Sequence, residues 1–298
     1  MKSSNKRKYL NLLPTVLAAA SALLYLGSNA YSASPGSGPL LRAADRLTAP
    51  RPGSMTAAVL SVSATVPAMM PPAISAVVSA VVPVGERPEV AAGAERAISA
   101  LASSVKPLSH PNALEDAFES YFAFKAVHAS EVHNPYFYFV DYGLPATTAR
   151  GYVFDMSTLR IVDGPFMVAH GRGSAPNAKG VPTRFSNSFG AATTSLGLYV
   201  AQNLYAFTGH AGGQHYSSVG LRLAGVSGAF NSNALARGVV AHGAPYVTPN
   251  RAGRSEGCPA METSRAQRLL PKLANGGLVF LFAPDSNWMS RDPWLAAG

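Results

Sequence analysis

The one cysteine of the chain, Cys258, lies in the run Gly253-Arg254-Ser255-Glu256-Gly257-Cys258-Pro259, and His242 precedes it by fifteen intervening residues. A lone cysteine cannot close an internal disulfide, so an exported chain has no structural bridge to explain it. A thiol with an imidazole nearby can instead act as a nucleophile and its base: the imidazole takes the thiol proton, and the thiolate attacks an acyl carbon. The other reading is a buried thiol behaving as a small hydrophobe. Glycine before it, proline after it and polar neighbours are unlike a core strand or helix, and they favour the nucleophile.

A strand ending Val239-Val240-Ala241 would carry His242 at its tip, and the loop Ala244 to Ser255 would return the chain to Cys258. Gly257 permits a tight turn there, and the Gly257 and Cys258 amides are expected to hold the oxyanion of a tetrahedral intermediate. Arg254 is a candidate to bind a carboxylate, with a surface ion pair as its alternative. Tyr246 either lines the cleft or packs under the loop. No H-E-x-x-H pattern and no paired cysteines occur, so no metal and no cofactor are expected.

Many short strands must position this pair. Tyr136 to Tyr142 and Arg150 to Asp155 are aromatic and β-branched; Ile161-Val162 and Phe166 to Ala169 flank Asp163-Gly164-Pro165, a turn or bulge signal. Further strands are expected at Leu196 to Ala201, Val219 to Leu223, Gly238 to Ala241 and Gly277 to Phe282. The run Gly209 to His215 reads as a loop with His210 and His215 in solvent. Helical spacing marks Asn112 to Ala129 and Thr263 to Leu273, the second ended by Asn275-Gly276 and distorted by Pro271. The pattern implies a mainly β domain, a sandwich or partly closed barrel, with a few peripheral helices.

The N-terminus reads as a signal peptide over residues 1–33, with Lys2, Lys6, Arg7 and Lys8, an apolar stretch to about Leu26, and small residues after it. Asn11 and Pro14 make that stretch weak as a lasting membrane span, so none is expected after its removal. Residues 34–108 are rich in Ala, Pro, Ser and Val and contain no aromatic residue, which predicts a low-complexity linker with a transient helix near Glu89 to Ser104. Residues 109–298 then form the folded domain, of ordinary size. Setting aside the four basic residues of the signal leaves 20 of 24 Lys and Arg against 15 Asp and Glu, or +5 rather than +9. These charges are scattered, which excludes a concentrated nucleic-acid patch and suits an anionic substrate.

His242-Gly243, followed at this distance by Ser255-x-Gly257-Cys258, resembles the active-site signature of the L,D-transpeptidases, the YkuD-like catalytic fold. It is closer still to the branch of murein L,D-transpeptidase catalytic domain family proteins. Also similar to that branch are Val168-Ala169-His170-Gly171, Ser195 to Tyr199, Leu221-Arg222-Leu223, His242 to Val247 and Gly253 to Ala260. The resemblance implies an L,D-transpeptidase-like β domain acting on peptidoglycan stem peptides as donor and acceptor, outside the cytoplasmic membrane, in a periplasm. It implies Cys258 as nucleophile and His242 as base, with the cysteine attacking the carbonyl of the diamino acid at stem position three and expelling the terminal D-alanine. An amine of a second stem, or water, resolves the thioester. Ser255 matches the small hydroxyl residue of the signature and is expected to orient the imidazole; Gly243 and His170 fall in matching blocks and are expected on the substrate side. Glu256 stands where the best-known members have histidine, and Pro259-Ala260 replaces their polar continuation.

Two other outcomes remain at this level. The same site could hydrolyse stems as a carboxypeptidase or endopeptidase, differing only in acceptor access. A non-catalytic envelope-binding module would leave Cys258 inert toward thiol reagents and carbapenems.

Overall fold

The computed structural model describes residues 86–295; the expected signal peptide and residues 34–85 of the expected linker lie outside the described residues. In chain order the elements are α1 (Arg87–Leu101), α2 (Ala113–Val127), β1 (Tyr136–Asp141), β2 (Gly151–Asp155), β3 (Arg160–Phe166), β4 (His170–Gly171), β5 (Gly197–Ala211) and β6 (Gln214–Gly225). They continue with β7 (Val240–Gly243), β8 (Arg254–Ser255), β9 (Ala260–Met261), α3 (Thr263–Leu273), β10 (Leu278–Phe282) and α4 (Ser286–Met289). One sheet has eight strands in the order β3-β2-β1-β10-β5-β6-β7-β9, and β4 pairs with β8 in a second, two-stranded sheet. Strands β3 and β9 end the larger sheet without meeting. The mainly β fold is therefore an open sheet with no barrel closure.

The central strands are apolar on both faces because both faces are covered. Every residue of β10, Leu-Val-Phe-Leu-Phe, is buried, as are five of the six residues of β1. Phe137 packs against Phe118 and Tyr121 of α2. Tyr138, turned to the opposite face by strand alternation, stacks with Phe166, over which the guanidinium of Arg265 from α3 lies. Helix α3 buries Ala266, Leu269, Leu270 and Leu273, and Asn275 and Gly276 end it with φ of 58° and 102°.

Two expectations change, and at β3 the bulge is the alternative realised. The folded region starts before residue 109: α1 is ordered, with Val90, Ala94, Ala97 and Leu101 buried. Those positions recur at helical spacing and form a stripe of small residues, which packs without any aromatic. A Cβ at Gly93 would fall 2.9 Å from the Phe122 ring of α2, so the two helices approach closely through that glycine. The run Gly209 to His215 is no loop; it is the end of the β5–β6 hairpin, turned by Gly212 and Gly213 at φ of 58° and 79°. His210 and His215 pair across it with ring centroids 4.0 Å apart. Asp163-Gly164-Pro165 stays inside β3, where the β2–β3 register shifts twice, as a bulge does. Among the described residues no helix is long and apolar enough to cross a membrane.

Candidate active site

Cys258 is suspended between two short strands that each begin or end in His-Gly. Before it, β8 runs parallel to β4, with Arg254 opposite His170 and Ser255 opposite Gly171. After it, β9 runs parallel to β7, with Ala260 opposite His242 and Met261 opposite Gly243. Residues 256–259 form the arch between these pairings, tied down by Arg172 N–H to the Ser255 carbonyl at 2.7 Å and His242 N–H to the Pro259 carbonyl at 3.3 Å. Gly257 has φ of 131°, and a Cβ there would meet the Thr193 carbonyl oxygen at 2.7 Å. Only glycine fits that position.

Ser255 is buried and braces the arch from within. Its Oγ donates to the Cys258 carbonyl at 2.7 Å and accepts from the Gly257 N–H at 3.1 Å. Two expectations fail here. The Gly257 N–H, expected to help hold an oxyanion, is already bonded to the serine. The Ser255 hydroxyl, expected to orient the imidazole, is bonded within its own turn, and its carbonyl is bonded to Arg172.

Cys258 is half-buried as a residue, and its sulfur faces the Gly238 carbonyl at 3.9 Å. Burial pushes the thiol up from its ordinary value, and the Glu256 charge adds to this; the Val240 backbone N–H and the charge of Arg237 pull the other way. The thiol is thus protonated at rest and requires a base.

His242 stands on β7, the strand paired with β9. It is buried and stacked on Phe207 of β5, with ring centroids 4.4 Å apart. Opposite it on β6 stands Gly220, where a Cβ would collide with the Tyr205 ring at 2.7 Å; the missing side chain leaves room for the aromatic cover. The Nδ1 of His242 lies 3.1 Å from the Gly243 carbonyl and 3.5 Å from the Tyr216 hydroxyl. A carbonyl only accepts, so Nδ1 carries the proton and Nε2 keeps its lone pair. Burial drives the His242 pKa down to about 4, partly offset by the Gly243 carbonyl, so the ring is neutral at neutral pH. Neither the sulfur's hydrogen bond nor those of the imidazole reach the other group; Cys258 sits in the arch that leads into β9, and His242 on β7, the strand to which β9 is paired.

The remaining expected residues fall into place around this pair. Gly243 is buried, and a Cβ on it would strike Ser218 Oγ at 2.4 Å and the Thr263 Cα at 2.8 Å. Its part is to pack under α3 and to orient the imidazole through its carbonyl. Tyr246 is half-buried, edge-on to Tyr216, and burial raises its hydroxyl. Arg254 is exposed on β8, while its neighbour Glu256 pairs with Arg172 at 2.7 Å on the surface. His170 is fully buried, with Nδ1 3.0 Å from Nη2 of the equally buried Arg150. Sequence reasoning missed Arg150, Phe207, Tyr216 and Arg237. The first three are remote in sequence from the Cys–His run, and only strand pairing shows them to be neighbours.

Comparison with known proteins places this arrangement. The sequence profile of the L,D-transpeptidase catalytic domain matches residues 106–282. No curated protein sequence matches the chain. Solved structures similar to it include an L,D-transpeptidase from Mycobacterium smegmatis, at 14% identity and a TM-score of 0.31, covering 50% of this chain and 59% of that one. Another is an L,D-transpeptidase from Xylanimonas cellulosilytica, at 14% identity and a TM-score of 0.30, covering 50% of this chain and 61% of that one. The chain thus spans about three fifths of the length of these solved relatives. With the profile running through α2, the sheet and the Cys258 arch, and covering more than half of the 298 residues, the chain belongs to the L,D-transpeptidase catalytic domain family.

Proposed function

We propose that this protein is an exported cysteine acyltransferase acting on peptidoglycan stem peptides, with Cys258 as nucleophile and His242 as base. The observation that carries the reading is the Cys258 arch, held between the His170 and His242 strands with the one available imidazole lone pair on the His242 side. Thiol and imidazole are both neutral at rest, so the proton moves as the bond forms rather than beforehand.

The Cys258 sulfur attacks the carbonyl carbon of the diamino acid at stem position three, and its proton passes to His242 Nε2. The tetrahedral intermediate collapses as the C–N bond breaks, and the departing D-alanine amine takes the proton from the imidazolium. A thioester remains on Cys258. The amine of a second stem then attacks that carbonyl, His242 accepts its proton, and the thiolate leaves and recovers the proton. With Gly257 N–H engaged by Ser255, the Cys258 N–H is the backbone donor left for the oxyanion. Residues 1–33 direct export, residues 34–85 tether the domain, and the folded part begins with α1. The site then works outside the cytoplasmic membrane, in a periplasm.

Intact-protein mass spectrometry of the full chain with a tetrapeptide stem is expected to show a Cys258 adduct lacking the terminal D-alanine. Cys258→Ala should keep the fold and form neither adduct nor product; full turnover by that variant sinks the proposal. Adding an amine acceptor separates transfer from hydrolysis by the product formed. Carbapenem labelling confined to Cys258 is the companion test for a reactive thiol.

A further inference from the structure

Arg237 holds a fixed positive charge beside the nucleophile without an acid to neutralise it. Its Nη1 donates to the Ser186 carbonyl at 2.9 Å and to Ser195 Oγ at 3.4 Å, and its Nη2 donates to the Thr193 carbonyl at 3.0 Å. All three acceptors are uncharged, and among the described residues no carboxylate forms an ion pair with it. A guanidinium has five N–H donors in one plane. Among the described residues, the Nε–H and one Nη2–H are left without an acceptor.

The group also lies beside the residue that precedes the nucleophile. A Cβ built on Gly257, the residue before the nucleophile, would sit 3.8 Å from Arg237 Nη2. The next residue in the chain, Gly238, places its carbonyl 3.9 Å from the Cys258 sulfur. Arg237 therefore borders the thiol through its backbone neighbour and through its side chain. Three bonds to a loop it does not belong to make it a preorganised donor, so a ligand meeting it does not have to order the side chain first. Among the described residues Arg254, exposed on β8, has no such set of acceptors.

We propose that Arg237 reads the free terminal carboxylate of the acyl-donor peptide, gripping it through the unused Nε–H and Nη2–H. This rests on the acyl-transfer reading above. In a donor that loses its last residue, the carboxylate follows the scissile carbonyl by one residue, roughly 3.8 Å of chain. A guanidinium beside Gly257, the residue before the nucleophile, is within reach of a group one residue beyond the scissile carbonyl. The paired N–H geometry suits a carboxylate and not a neutral amide. Donors extended beyond that residue, or capped at it, lose the contact.

The experiment measures binding rather than turnover, in full-length Cys258→Ala protein, by calorimetry. The probes are a tetrapeptide stem ending in D-alanine and the same peptide as its C-terminal carboxamide. The acid is expected to bind about ten- to a hundredfold more tightly than the amide. Adding Arg237→Gln should bring the acid down to the level of the amide and leave amide binding in place, while Arg237→Lys keeps part of the preference. Amide binding serves as the control for a disturbed loop, because a purely structural arginine would weaken both peptides equally. Equal binding of acid and amide with Arg237 present, equal loss of both in Arg237→Gln, or no binding of either overturns the proposal. Absence of an adduct on the intact enzyme would sink the acyl-transfer reading alone, with the acid preference still measurable.

Discussion

The strand of His170 and the strand of His242 look alike in sequence and differ in what their imidazoles can do. Each reads His-Gly, each is buried, and each pairs in parallel with one flank of the Cys258 arch. In His170 the Nδ1 faces an arginine nitrogen, which can only donate; Nδ1 is therefore the acceptor, and the proton sits on Nε2. In His242 the Nδ1 faces a carbonyl, so the tautomer is the reverse. One ring offers an N–H at Nε2 and the other offers a lone pair. Only the second can receive a thiol proton. Among the described residues the His170 Nε2 is also buried without a hydrogen-bond partner, whereas His242 has an aromatic cover of Phe207 and Tyr216. What leaves a lone pair on Nε2 of one histidine and a proton on Nε2 of the other is the atom opposite Nδ1, the Gly243 carbonyl for His242 and Arg150 for His170.

Exchanging each ring for glutamine tests that difference most strongly. His242→Gln is expected to lower the rate of Cys258 acylation by about 10²- to 10⁴-fold, the range for loss of a general base. His170→Gln, which keeps an acceptor toward Arg150, should lower it by about tenfold or less, as for one lost hydrogen bond. Stopped-flow acylation of both variants decides, and equal losses would break the assignment.

The pH profile sharpens the same point. Because burial holds His242 near 4, the base form persists well below the usual imidazole range. The acid limb of kcat/KM for acylation is expected at about pH 4. A limb near 6.5 would place His242 in solvent and remove the contrast with a solvated ring.

The proposed nucleophile and base stand out in the sequence because a lone cysteine in a Gly-Cys-Pro run is chemically conspicuous, and His242 follows a β-branched stretch. The two-residue strands β4, β8 and β9 do not, since two residues carry no periodicity. Their pairings exist only through backbone bonds to distant strands, so the role of Ser255 in its own turn and the bracing by Arg237 were hidden with them. The hairpin tip at Gly212-Gly213 was read as loop because its flanking residues are polar on both faces and rise above the core. Helix α1 reads in sequence as a transient helix near Glu89 to Ser104 rather than as part of the fold, because its apolar stripe lies largely in alanines that also fit a linker. The strands β1, β2 and β10 and the helices α2 and α3 were legible because burial dictates their residues directly.

The smallest effect concerns stability, where the two histidines act alike and His170 can be isolated. Burial, with the charges of Arg150 and Arg254, pushes the His170 pKa down to about 3, below its ordinary value of 6.5. The unfolded chain therefore takes up a proton first as the pH falls. The stabilisation is complete above 6.5 and is lost between 6.5 and 3, at about 1.4 kcal/mol per pH unit. His242 contributes with the same sign between 6.5 and 4. Asp116 opposes both, because burial beside Glu119 and Glu115 raises it to about 7, and the folded state then holds a proton that the unfolded state releases. The net slope of the protein mixes these groups, but His170→Gln removes one proton site and leaves the others. Urea denaturation of both proteins from pH 6.5 to 4.5 should show the stability gap between them closing by about 2 kcal/mol in favour of the variant. Parallel curves would mean that His170 takes up its proton in the folded state as readily as in the unfolded one. The fixed Nε2–H donor would then give way to an imidazolium, and the two His-Gly strands would differ in charge rather than in tautomer.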